Sequence, residues 1–97
     1  MGIMVHPLAT NDGNKIRVKY NGILNKDDAE QVYLHAGLGY SQKWDYIIDI
    51  PMEYNDGSWI ADIRVEDADN RLNFCFKDSA QHWDNNNGDN WSYKIFK

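Results

Sequence analysis

Asn55-Asp56-Gly57-Ser58-Trp59-Ile60-Ala61-Asp62-Ile63-Arg64-Val65 decides the fold class. Its last seven residues sort by parity into two faces. Trp59, Ala61, Ile63 and Val65 share one face, and Ile60, Asp62 and Arg64 share the other. A period of two is the spacing of a half-buried β-strand, whose successive side chains point to opposite sides of a sheet. Asn-Asp-Gly in front of it is a hairpin signal, because these residues accept the positive φ that tight hairpin turns require.

The same grammar extends in both directions. Upstream, Ile16, Val18 and Tyr20 alternate with Lys15, Arg17 and Lys19, and Val32, Leu34 and Ala36 alternate with Tyr33, His35 and Gly37. Trp44 to Ile50 is a mostly apolar run closed by Pro51. Downstream, Leu72, Phe74 and Phe76 stand opposite Asn73 and Cys75, and Trp91, Tyr93 and Ile95 share a face in the run ending at Phe96. Further turn signals, Asn11-Asp12-Gly13, Asn21-Gly22 and Asn87-Gly88, punctuate these runs. Lys26-Asp27-Asp28-Ala29-Glu30 suits a helical turn but is too short for an independent helix. No linker or repeat is visible, and the only biased segment is the Asn-rich tip at 85–90. Residues 1–97 therefore read as a single all-β domain: two antiparallel sheets of about seven strands, face to face, in an immunoglobulin-like β-sandwich.

The bulk properties narrow the partners. Fifteen Asp and Glu against ten Lys and Arg give a net charge of −5, which repels phosphate backbones and anionic membranes, so neither nucleic acid nor a membrane is expected as a partner. No apolar run approaches the roughly 18 residues of a membrane span. Residues 1–4 lack the basic and apolar regions of a signal peptide; the compartment stays open, extracellular only if the chain is part of a secreted protein. Cys75 is the single cysteine, so no internal disulfide forms; it reads as a small, partly buried strand residue.

The aromatics carry the functional information. Four Trp, six Tyr and three Phe in 97 residues are more than so small an interior absorbs. Trp59, Phe74, Phe76 and Tyr93 sit on apolar faces and read as core; Trp91 reads as core or as an anchor for the loop before it. Trp44 follows the polar segment 39–43, and Trp83 lies between His82 and Asp84 in a polar stretch. These two are expected at the surface, where indoles mark a binding face. His35 falls on the wet face of its strand. Trp83-Asp84-Asn85-Asn86-Asn87-Gly88-Asp89-Asn90-Trp91 sets flat rings beside amides and carboxylates, the combination that holds a sugar.

Gln31-Val32-Tyr33-Leu34-His35-Ala36-Gly37, Trp44, Trp59-Ile60-Ala61-Asp62-Ile63, Leu72-Asn73-Phe74-Cys75-Phe76-Lys77-Asp78 and Trp83-Asp84-Asn85-Asn86, taken together, resemble the starch-binding carbohydrate-binding modules of family 25 and the related family 53. The resemblance runs from about Lys15 to the C-terminus. It implies a β-sandwich that binds α-1,4-glucans such as starch, glycogen and maltooligosaccharides without chemistry or cofactor of its own, tethered to a larger catalytic protein. It also implies that His35, Trp44 and Trp83 form the sugar platform. Asn85 and Asn86 are candidates for loop structure or sugar hydroxyls, and Gln42 and Asp84 are lesser candidates at the rim.

The physical rationale is direct. An indole laid against the C–H face of a glucose ring removes both surfaces from water, and two indoles set at an angle suit the curl of an α-1,4 chain. At about 0.3 kcal/mol per heavy atom a disaccharide reaches roughly 10 µM at best, and hydrated sugars bind more weakly, down to millimolar. Three alternatives compete. A glycoside hydrolase needs two carboxylates across a cleft, but the Asp and Glu here fall in turns and on wet faces. A calcium-binding or structural accessory domain would use Asp84 to Asp89, which lacks the Gly and Glu spacing of an EF-hand. An adhesion or spacer domain leaves the surface indoles unexplained.

Overall fold

The computed structural model describes residues 2–10, 13–22, 24, 30–40, 43–65, 71–86 and 88–94. Nine strands are present among them: β1 (Gly2–Thr10), β2 (Gly13–Asn21), β3 (Val32–Tyr40), β4 (Lys43–Pro51), β5 (Glu53–Asn55), β6 (Ser58–Val65), β7 (Arg71–Asp78), β8 (Trp83–Asp84) and β9 (Trp91–Lys94). They form two antiparallel sheets. One has the order β1-β2-β6-β5; the other has the order β4-β3-β7-β8, with β9 also on β7. This is the immunoglobulin arrangement, with β4 as an added edge strand on the sheet built around β3 and β7.

The hairpin expected at 55–57 is present. Asn55 pairs with Ser58, and Asp56 (φ 52°) and Gly57 (φ 87°) both take positive φ, as the two central residues of a type I′ turn do. Its first arm is the short β5, not the run from Trp44 to Ile50. That run forms β4 in the opposite sheet. The chain changes sheets at Met52, which is buried, donates its N–H to Val32 O (2.9 Å) and accepts from Gln31 Nε2 at its carbonyl (2.7 Å).

The alternations sort as expected. Ile16, Val18, Tyr20, Trp59, Ala61 and Ile63 face Val32, Leu34, Ala36, Leu72, Phe74 and Phe76 across one core, with Trp91 and Tyr93 packed at its margin. Tyr20 stacks on Phe76 at 4.1 Å between ring centroids, so the sheets touch ring to ring. Trp91 lies over Phe74 and edge-on to Phe76. Cys75 is buried rather than half-buried, and burial pushes its thiol up to about 11.

Three strands lie outside the alternation-based expectation of about seven. β1 interrupts its apolar pattern with Pro7, which is tolerated because β1 is an edge strand paired on one side only. β5 and β8 are too short for any period to register. A second difference concerns β4: its apolar run is largely at the surface, with Tyr46 84%, Ile47 53% and Ile48 46% exposed. The pairing with β3 slips by one residue between Ala36 and Leu38, so Tyr46 and Ile47 together oppose Gly37 in a β-bulge. The helical turn expected at 26–30 lies, Glu30 apart, outside the described residues, as does Gln42.

Candidate functional site

The outer face of the β4-β3-β7-β8 sheet is fixed by parity. On β3, Val32, Leu34 and Ala36 go to the core, which turns Tyr33, His35 and Gly37 outward. On β7, Lys77, Cys75 and Asn73 stand opposite those three in register. His35 therefore occupies the centre of a wet face, flanked by Asp49 of β4 on one side and Cys75 of β7 on the other.

Two indoles converge on it. The His35 ring lies 5.9 Å from the Trp44 ring at a tilt of 38°, and 5.2 Å from the Trp83 ring at 88°. The indoles are thus no farther apart than those two separations laid end to end, and both stand on the same side of the sheet. Trp83 is 44% exposed and Trp44 half-buried. Trp44 is let down onto the sheet by a glycine. A Cβ on Gly37 would lie 2.7 Å from Trp44 Cβ and 3.2 Å from Ile47 Cγ1, closer than carbon atoms approach.

A charge network holds His35. Its Nδ1 meets Asp49 Oδ1 at 2.5 Å, and Lys77 Nζ donates to Asp49 Oδ2 at 2.6 Å. Burial pushes the Asp49 carboxyl up, but hydrogen bonds from Lys77 and His35 outweigh it and hold the group below its ordinary value. An ionised Asp49 can only accept, so the His35 nitrogen that meets it, Nδ1, carries a proton. Lys77 Nζ also stands over the Trp83 ring at 5.3 Å and the Tyr33 ring at 5.9 Å. Beneath the face, Asn73 is buried but satisfied: its Nδ2 donates to Gly39 O (2.9 Å) and its Oδ1 accepts from Ser92 Oγ (2.9 Å).

Trp83 is positioned from both sides. Before it, Asp78 accepts from the backbone N–H of Ala80 (3.0 Å) and His82 (2.8 Å) and pairs with His82 Nδ1 (2.8 Å), closing the β7–β8 turn. Burial raises the Asp78 carboxyl, and those bonds overcome it and hold it below its usual range. After it, Asp84 is buried and accepts from Tyr20 Oη at 2.6 Å. Asp84, a lesser candidate at the rim, is thus turned away from the outer face, because strand parity sends it inward once Trp83 faces out. Asn85 and Asn86 are exposed and hold their own loop. Asn85 Oδ1 accepts from Gly88 N (3.0 Å), Asn86 Nδ2 donates to Asn90 O (3.1 Å), and Asn86 sits at φ 55°. The loop leaves the sheet between the two edge strands on β7, since β8 pairs with Phe76 and Lys77 and β9 with Arg71 to Phe74.

Residues 16–74 match the family model of a starch/carbohydrate-binding module, family 53. The chain belongs to this family. The module is also 34% identical, over 80 residues, to an alpha-amylase of Clostridium acetobutylicum. That alignment covers 81% of the module but 10% of the amylase, so the chain spans about a tenth of that relative's length. No solved structure matches the module. His35 and Trp44 fall inside the matched region, whereas Trp83, Asn85 and Asn86 lie beyond it.

Sequence reasoning missed Asp49 and Lys77. Both are ordinary charged strand residues until β3, β4 and β7 come together, and only the strand order brings them to His35 and Trp83. Among the described residues no three His, Cys, Asp or Glu side chains are arranged to hold a metal.

Proposed function

We propose that the module binds α-1,4-glucans, soluble maltooligosaccharides and glycogen as well as starch, on the outer face of the β4-β3-β7-β8 sheet. Trp44 and Trp83 stack on successive sugar units, and His35 Nε2 meets a hydroxyl between them. The observation that carries this reading is the convergence of both indoles on His35, at 5.9 and 5.2 Å and at different inclinations. Rings tilted against each other follow a curling α-1,4 chain better than a flat β-1,4 ribbon. Asn85 and Asn86 serve chiefly by shaping the loop after Trp83.

The kinship extends to family 25, whose modules the motif around Trp83 also resembles. The 97 residues act as one non-catalytic module that tethers a larger catalytic protein to its polymer, in keeping with the match to a small part of an amylase. Affinity is modest, tens of micromolar to millimolar, and gains from tethering.

Affinity electrophoresis in starch gels and calorimetric titration with maltooligosaccharides test the assignment. Trp44→Ala and Trp83→Ala are each expected to abolish detectable binding with little change in melting temperature. Retention of wild-type binding by either variant overturns the platform. Release of reducing ends from starch by the isolated module is expected to stay at background.

A further inference from the structure

We propose that Tyr46, with Ile47 beside it, forms an additional subsite at the β4 edge of the same face and stacks on a glucosyl unit beyond those held by Trp44 and Trp83. The inference rests on the glucan-binding reading above and names a residue that the platform of His35, Trp44 and Trp83 leaves out.

Four observations carry it. Tyr46 is 84% exposed, the largest value among the exposed large hydrophobic side chains, and a lone tyrosine ring in water gains nothing from packing. Tyr46 also holds φ 55°, a left-handed conformation that is uncommon for a bulky side chain and is maintained only where its surroundings require it. The register places residues 46 and 47 together opposite Gly37. Gly37 belongs to the outward-facing set of β3, so the bulge adds its extra residue to the outer side. Finally, Trp44 and Ile47 both crowd the space where a Gly37 Cβ would stand, which makes the surface continuous from Trp44 to the bulge.

A protein strand is the poorer occupant of this edge. A bulge twists a strand and disrupts its ladder, which is how exposed edges avoid pairing with other chains. A curved polymer of sugar rings needs no backbone ladder, only successive apolar surfaces with polar rims.

The test is a length series. Wild-type module, Tyr46→Ala and Tyr46→Gly are titrated with maltotriose and maltoheptaose, with Trp83→Ala as control. The loss of one ring contact is expected to weaken maltoheptaose binding about fivefold in both Tyr46 variants and to leave maltotriose within about twofold. Tyr46→Gly is further expected to melt no lower than wild type, because glycine accepts this φ without strain; affinity lost at undiminished stability separates a binding role from a folding one. Unchanged maltoheptaose affinity in both variants overturns the subsite, while loss of binding in Trp83→Ala still upholds the underlying reading. A Tyr46 variant that instead alters sedimentation of the free module assigns the patch to contact between copies and also overturns the proposal. If wild type binds neither sugar, the reading and the subsite fall together.

Discussion

Gly37 shows how one missing methyl group shapes the face. Position 37 is outward on β3, and Trp44, from the neighbouring strand, occupies the space above it. Gly37→Ala would set a Cβ 2.7 Å from Trp44 Cβ and 3.1 Å from its Cε3, and backbone-attached carbons on two paired strands have little room to give. The variant is expected to lose about 1–3 kcal/mol of stability, as overpacked sites do, and to bind maltooligosaccharides at least as poorly as Trp44→Ala. Chemical denaturation of the single and double variants checks the cause: part of the Gly37→Ala cost should vanish when Trp44 is already Ala. Trp59 is the opposite case, 6% exposed within the core. Trp59→Ala is expected to cost about 3–5 kcal/mol, seen as a fall in urea midpoint, with sugar affinity little changed in whatever fraction remains folded. An unchanged midpoint would remove Trp59 from the core.

At the scale of elements, the legible strands were those with one dry and one wet side. β2, β3, β6 and β7 betray themselves because each residue's polarity follows its parity, and His35 was placed outward on that ground alone. β4 defeats this reasoning at Tyr46, since a bulge shifts parity by one and nothing in Tyr46-Ile47-Ile48 distinguishes exposed apolar residues from buried ones. β8 defeats it at Asp84: two residues make no period, and its carboxylate finds Tyr20 on a strand more than sixty residues away. The β7–β8 turn, by contrast, is held locally by Asp78, and that dependence has a pH signature. Its carboxyl lies below its ordinary value in the folded protein, so its contribution to stability is complete above the unfolded pKa of about 4 and drains away as pH falls through the lower folded value. Asp62, held down first by its hydrogen bond to Arg17 and then by that residue's charge, adds to the same acid limb from an exposed position. Asp78→Asn is expected to flatten stability against pH on the acid side of about pH 4, measured by urea unfolding at stepped pH. It should also weaken sugar binding a few-fold at neutral pH through a loosened Trp83. A wild-type acid limb in Asp78→Asn would sever the link between this carboxylate and the turn.

Across the whole molecule, the two sheets are joined by apolar contact and, among the described residues, by a polar bridge that reaches the outer face of the β4-β3-β7-β8 sheet from behind. Tyr20 is fully buried on β2, stacks on Phe76 of the opposite sheet, donates to Asp84 and accepts the backbone N–H of Leu24 at 3.1 Å. Asp84 is the immediate neighbour of Trp83, so a hydroxyl of one sheet is bonded one residue away from an indole on the far side of the other. Gly22 keeps the route open, since a Cβ there would lie 2.5 Å from Tyr20 Oη. Removing the hydroxyl keeps the ring and its stacking but leaves a buried carboxylate and a backbone N–H without their shared partner, a loss of about 1–3 kcal/mol. Tyr20→Phe is therefore expected to lower stability by that amount and to weaken maltooligosaccharide binding, although residue 20 lies in the core and not on the face that would meet sugar. Trp83→Ala is expected to give the converse, lost binding at near-native stability. Denaturation and titration on the same preparations distinguish the two patterns: if Tyr20→Phe is destabilised yet binds as wild type, the bridge serves only the core and Trp83 takes its position from the Asp78 turn alone.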